Sequence, residues 1–348
     1  MALHWAGQFG QTRRMGSATL VAHAAVRWIQ AALAYYRGHR RVALAVQLAL
    51  IAVTLGLCGW AVAEEWSTAE PLLANARLGY LGLAFATVAA YYLVFILGWM
   101  RILDAWGIRI PYHVALQAEM VSMLAKYLPG GVWTPAARAV ALRRSASVTD
   151  TPTVLASILV EAALSAISGV IVFVVSLAWV RGVNAPLAPL IAFAIVLASI
   201  LHPRVLRPLS RRVLKPFGAH AIEPLPFPTA IALLLFYCGT WLIGGFGVYF
   251  MLLSLGANPG IATVPFLGGV SAVGAIVAVL AFFAPSGLGA REASMYGLLL
   301  AVTSEGPALG VTLVNRLLIT VVEVVLFGVG VVWWRTARRR AETAEGSA

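Results

Sequence analysis

Along this chain apolar residues do not alternate with polar ones, as they would in a half-buried strand or a surface helix. They run on in stretches that would be apolar all the way round a helix. The hydrocarbon core of a bilayer is about 30 Å thick and takes about 20 residues of helix to cross. Stretches of that kind lie at 42–63, 79–100, 154–180, 229–255 and 310–334, with a shorter one at 187–201 bounded by Pro186 and Pro203. Two more apolar regions, 112–144 and 262–302, are broken at their centres by Pro and Gly. The pattern predicts an all-α polytopic membrane protein with six transmembrane helices and two helical hairpins.

Charge between the runs orients them. The segment before residue 42 holds Arg13, Arg14, Arg27, Arg37, Arg40 and Arg41 and no acid, whereas the next loop carries Glu64, Glu65 and Glu70 against Arg77. Basic residues mark the cytoplasmic side, which places the N-terminus inside. Arg101 and Arg109, then Arg204 to Lys215, and finally Arg335 to Arg340 return to that side, so the C-terminus is inside too. The parity closes only if each broken region enters and leaves on one face: 112–144 from the cytoplasm, 262–302 from outside. Both are then re-entrant hairpins, opposed across the membrane. His23, Arg27, Gln30 and Arg37 share one helical face of residues 1–41, which predicts an interfacial amphipathic helix. No short apolar core with a cleavage site precedes the first span, so that span is expected to act as the insertion signal.

The order span, span, hairpin, span occurs twice, the second copy starting from the opposite side. This predicts a membrane domain over 42–335 made of an inverted repeat, 42–180 and 187–335, followed by a polar cytoplasmic tail at 336–348. The hairpin tips echo each other: Pro129-Gly130-Gly131 and Pro285-Ser286-Gly287, each followed by a basic residue, Arg138 and Arg291. Broken helices at mid-membrane depth are where secondary transporters bind their substrates. Two tight turns would carry the same tripeptides without binding anything.

Composition narrows the classes further. The chain is 61% hydrophobic and 11% charged, against roughly 25% charged in soluble domains, which excludes a soluble enzyme, a disordered tail and a secreted disulfide scaffold. The net charge of +12 needs no nucleic acid to explain it, because most of the basic residues fall on the cytoplasmic side. Cys58 and Cys238 lie inside apolar runs and read as packing residues. No HExxH, GxSxG, P-loop or GxGxxG motif occurs, and the histidines are scattered. The expectation is a non-enzymatic protein with no metal and no cofactor.

Some charges remain at membrane depth: Glu119, Glu161, Glu292 and Glu323 with Lys126, Arg138, Arg291 and Arg316. An unpaired charge there costs about 2.5–3.5 kcal/mol on insertion scales, so these are expected in ion pairs or facing a wet cavity. Ser157, Glu161, Ser165 and Ser168 share one helix face, as do Thr312, Arg316, Thr320 and Glu323. Facing stripes suggest buried ion pairs involving Glu161, Arg316 and Glu323, with Glu161–Arg316 as the first pairing expected. Arg138 and Arg291, beside broken helices, point to anion binding, and Lys126 suits either a phosphate or the interface. The candidate translocation residues are therefore Lys126, Pro129, Gly130, Gly131, Arg138, Pro285, Ser286, Gly287, Arg291 and Glu292. Ion pairing that only fixes helix register would account for any single pair.

The run Lys126-Tyr127-Leu128-Pro129-Gly130-Gly131, then Arg138, Glu161, Pro285-Ser286-Gly287-Leu288-Gly289 with Arg291-Glu292, and Arg316 resembles the transmembrane region of lysylphosphatidylglycerol synthases, a flippase-like family. The resemblance implies a membrane region that moves a lipid between leaflets, here without the cytosolic transferase of the bifunctional members. Two positions depart from the family: Val132-Trp133 stands where Gly-Glu is frequent, and Ala162 where an Arg often follows the Glu. A specific headgroup preference does not carry over. The expected function is flipping of a lipid or lipid-linked anion across a bacterial-type inner membrane. The expected partners are anionic or lipid-linked membrane lipids, with a glycosyltransferase of the same pathway as a further candidate. An ion-coupled carrier of a small soluble anion and a non-transporting scaffold are the rival classes.

Overall fold

In a computed structural model, residues 71, 74–126, 133–146, 148–180, 182–183, 187–214, 222–281 and 289–345 are described, the side chains at 213–214 and 338–345 aside. The amphipathic arm at 1–41, the first span at 42–63 and both hairpin tips lie outside the described residues. The chain divides into two compact units, residues 1–52 with 208–221, and residues 53–207 with 222–348. The helices among the described residues belong to the second unit, except that one, at 203–214, runs from it into the first.

Every regular element among the described residues is a helix. In chain order they are α1 (Leu78–Ala105), α2 (Tyr112–Ala125), α3 (Trp133–Ser145), α4 (Thr151–Ser176), α5 (Leu187–Leu201), α6 (Pro203–Leu214), α7 (Phe227–Ser254), α8 (Val264–Leu280), α9 (Ala290–Leu299) and α10 (Glu305–Glu345). The expected spans at 79–100, 154–180, 229–255 and 310–334 are the apolar parts of α1, α4, α7 and α10. Their lipid-facing sides stay apolar and exposed, as at Leu83, Leu159, Val175, Leu235 and Val332. Serines, threonines and carboxylates are turned inward, the reverse of a soluble protein.

Local chemistry sets the element ends. Asp150 caps α4 by accepting from the Thr153 N–H at 3.2 Å, with a proline in the first turn, where no intrahelical partner exists for its missing N–H. Glu292 does the equivalent for α9, its Oε2 accepting from the Gly289 N–H at 2.8 Å. Gly289 has φ +81°, a conformation that suits glycine. Between α1 and α2 the Tyr112 hydroxyl donates to the Leu93 carbonyl at 2.7 Å, which folds α2 back against α1.

Two expectations change. The short span at 187–201 is α5, and the basic stretch after it, expected as a loop, continues as α6 after a bend of 72°. Arg204, Arg207 and Arg211 line one face of α6, with Val205 and Leu209 exposed on the other. The hairpin arms are also unequal. At 14 residues α2 spans only about 21 Å, whereas the 3-10 turn Ile261–Thr263 and α8 together make a stretch long and apolar enough to cross a membrane.

Matching α1, α2, α3 and α4 to α7, α8, α9 and α10 exposes a regularity in the packing. The pairs α2–α3, α1–α2, α2–α10, α1–α10, α1–α4 and α3–α4 are neighbours, and so are their counterparts α8–α9, α7–α8, α4–α8, α4–α7, α7–α10 and α9–α10. The pair α1–α7 is its own counterpart. The neighbour relations of these eight helices thus survive exchange of the two halves.

Candidate functional site

Arg138 sits near the middle of α3 with 2% of its side chain exposed, between two carboxylates. Its Nη2 meets Glu119 of α2, 1% exposed, and its Nη1 meets Glu161 of α4, 3% exposed. The guanidinium lies 4.5 Å from the centre of the Trp99 ring. Trp99 in turn donates from Nε1 to Ser157 Oγ at 2.8 Å, so α1, α2, α3 and α4 meet at one charged knot. Such burial is tolerable because each charge has an opposite one in contact. The balance is uneven, though: two carboxylates share a single guanidinium, and Oε1 of Glu119 has no hydrogen-bond partner among the described residues.

A second knot joins Lys126, at the end of α2, to Glu323 on α10, whose carboxylate is fully buried. Tyr92 of α1 donates to the same Oε1 at 2.5 Å. The third pair is Arg316 Nη1 of α10 with Glu292 Oε1 of α9, 3.2 Å apart. The Glu161–Arg316 pair expected from the facing stripes is therefore not what forms. The stripes are indeed buried, but Arg138 on the adjoining hairpin arm reaches Glu161 first, and Glu292 does the same for Arg316. The two contacts occupy matching places, α3–α4 and α9–α10, with the signs of the charges exchanged.

One membrane-depth cation is left over. The side chain of Arg291, the second residue of α9, has no ion pair or hydrogen bond among the described residues; only its backbone carbonyl accepts one, from the Ser294 hydroxyl at 2.8 Å. It lines a cavity of about 200 Å³ together with Tyr91, Tyr92, Glu119, Trp241 and Asn315. The wall behind Arg291 needs Gly274, where a Cβ would come within 2.7 Å of Met295 Cγ and 3.4 Å of Arg291 Cγ. A guanidinium at the N-terminal end of a helix, on the wall of a largely apolar cavity with a few polar groups, attracts an anion through both its own charge and the helix dipole. Glu119 is shared between the cavity and the Arg138 knot.

All eight charges singled out in the sequence thus lie among the described residues, while Pro129, Gly130, Gly131, Pro285, Ser286 and Gly287 lie outside them. Sequence reasoning missed Tyr91, Tyr92, Trp99, Trp241 and Asn315. The adjacent tyrosines inside an apolar span, and an asparagine next to Arg316, were the signals that could have found Tyr91, Tyr92 and Asn315. No group of three His, Cys, Asp or Glu side chains suited to a metal occurs among the described residues.

Residues 42–328 match the family model described as the lysylphosphatidylglycerol synthase transmembrane region. No curated protein matches the chain. With most of its length covered by that match and its long apolar helices arranged around a charged interior, the chain is an integral membrane protein that belongs to the lysylphosphatidylglycerol synthase transmembrane-region family.

Proposed function

We propose that the protein moves a lipid or lipid-linked anion between the leaflets of a bacterial-type cytoplasmic membrane, holding the substrate's phosphate at Arg291. The observation that carries this reading is the Arg291 guanidinium, unpartnered among the described residues, on the wall of a cavity at membrane depth. A charge without a direct partner there costs about 2.5–3.5 kcal/mol by insertion scales, and a bound anion gives the guanidinium the contact partner that it lacks among the described residues. The other expected anion ligand, Arg138, already has a carboxylate on either side and is assigned to holding the hairpin in place. Lys126, engaged with Glu323, is assigned likewise.

Size and surroundings favour a lipid over a soluble solute. The cavity is smaller than the roughly 300–1,000 Å³ typical of sites that enclose a whole ligand, so it fits a headgroup phosphate whose tails remain in the bilayer. A separate groove of about 390 Å³ between α1 and α7, lined by Leu97, Gly98, Ala232, Leu233 and Phe236 with Arg101, suits an acyl chain. In this reading the two halves form an inverted repeat with both termini cytoplasmic; the exchangeable packing of the helices supports the repeat, and the sorting of basic residues supports its inversion. Enzymes that make lipid-linked sugars are the class of partner such a transporter would serve.

The test is leaflet exchange of fluorescent phosphatidylglycerol and of a lipid-linked sugar in proteoliposomes. Wild-type protein is expected to exceed protein-free vesicles for at least one of them. Arg291→Gln and Arg291→Lys should each lower the rate tenfold or more, since lysine keeps the charge but not the planar fork. Exchange no faster than in empty vesicles, or an Arg291→Gln variant as fast as wild type, would sink the assignment.

A further inference from the structure

Glu119 is placed to make anion binding depend on a proton. It is almost fully buried, one oxygen on Arg138 and the other without a hydrogen-bond partner, and it lines the same cavity as Arg291. The ionisable groups around it come from every helix packed on α2. They are Arg138 of α3 with Glu161 of α4 beyond it, Tyr91 and Tyr92 of α1, the Lys126–Glu323 pair at α10, and Arg291 of α9 on the opposite wall. Arg316, also on α10, is engaged by Glu292.

The charges of this set determine what an arriving anion must do. Lys126 with Glu323 and Arg316 with Glu292 each sum to zero. Arg138 with Glu119 and Glu161 sums to one negative charge, and with the cavity empty Arg291 compensates it. An anion on Arg291 cancels that compensation and leaves a net negative charge inside the membrane, where charges are weakly screened. Neutrality returns if one carboxylate takes up a proton, because like charges crowded around one site disfavour full ionisation. Of the two that share Arg138, only Glu119 borders the cavity, whose volume admits several waters.

We propose that Glu119 is a proton-binding site coupled to the cavity, so that each anion bound at Arg291 brings one proton onto the Glu119 carboxylate. The proton is delivered as hydronium through the cavity water: one O–H bond of the hydronium breaks, leaving a neutral water, and one O–H bond forms on the Glu119 carboxylate. This rests on the reading of Arg291 as the anion site. Because linkage is reciprocal, protonation of Glu119 tightens anion binding and the affinity rises as pH falls. The protein then carries an anion and a proton together, and a proton gradient can drive the substrate.

The test titrates the full-length protein in detergent micelles with dihexanoyl-phosphatidylglycerol by calorimetry, in buffers of differing ionisation enthalpy and at several pH values. Wild type is expected to take up close to one proton per anion and to gain a protonated-carboxyl band in the infrared difference spectrum. Glu119→Gln should bind at least as tightly as wild type at high pH, with no proton uptake, no such band and an affinity independent of pH. Where the Gln variant does not fold, Glu119→Asp serves, because it retains the carboxylate but shifts the band. Binding that Arg291→Gln abolishes but that is accompanied by no proton uptake overturns the coupling and leaves the anion site intact. A band that persists in Glu119→Gln overturns the assignment to Glu119. No binding by wild type, or binding that Arg291→Gln does not weaken, overturns the anion site and the coupling with it.

Discussion

Arg138 holds two carboxylates apart from each other and from lipid, and its removal is the most damaging single change at the site. Arg138→Gln strands both Glu119 and Glu161, and stranding even one buried charge typically costs about 3–5 kcal/mol. Glu161→Gln should cost less, because Arg138 keeps Glu119, and the double variant should be far from additive. Glu161→Gln combined with Arg316→Gln, in contrast, should be additive to within about 0.5 kcal/mol, since the two share no partner. Chemical unfolding of the three single and two double variants in detergent measures both cycles, and strong coupling between Glu161 and Arg316 would contradict the observed pairing. The eight charges could be read from the sequence because acids and bases stand out in apolar runs. Their partners could not, because spacing along a helix says which residues share a face but not which neighbouring helix that face meets.

At the scale of elements, α7 and α8 approach so closely that their contact has room for hydrogen atoms only. A Cβ on Gly268 would fall 2.4 Å from the Trp241 carbonyl oxygen, and one on Gly245 would fall 2.3 Å from that of Val264. Small residues at helix contacts are the usual means of packing within a bilayer, where no hydrophobic drive separates helix from lipid. Gly268→Ala should therefore destabilise by about 1–3 kcal/mol, the range for overpacking a tight site. Gly239→Ala in the same α7, with nothing within 4 Å of the added carbon, should be neutral or slightly stabilising, as helix propensity alone favours alanine by about 1 kcal/mol. Equal effects on the thermal midpoint in detergent would show that the contact is looser than described. The apolar runs revealed these helices, but not the bend that turns α5 into α6. A basic, proline-containing stretch reads equally as a loop until the spacing of Arg204, Arg207 and Arg211 is set on a helix.

For the whole molecule the question is handedness across the membrane. The exchangeable neighbour relations of α1–α4 and α7–α10 are those of an internal repeat, and in the proposed topology the charge pattern inverts one half relative to the other. Single cysteines, in a background without Cys58 and Cys238, test this directly. Position 305 should label from outside and positions 144 and 210 from the cytoplasm. Labelling of 144 and 305 from the same side would rule out the inverted arrangement, whatever the packing of the helices.

Sequence alone determined that this chain enters a membrane, roughly where its long helices lie, and that its interior carries charge. Each of these follows from composition and period, because water and hydrocarbon sort side chains without reference to any particular neighbour. Tertiary structure alone decided that Arg138 is divided between Glu119 and Glu161, that Lys126 reaches Glu323 almost two hundred residues away, and that Arg291 is left facing a cavity. Those outcomes depend on which helix faces lie against each other. In a bundle with little water to screen or replace a missing partner, the nearest opposite charge in space settles each pairing, not the nearest in the chain.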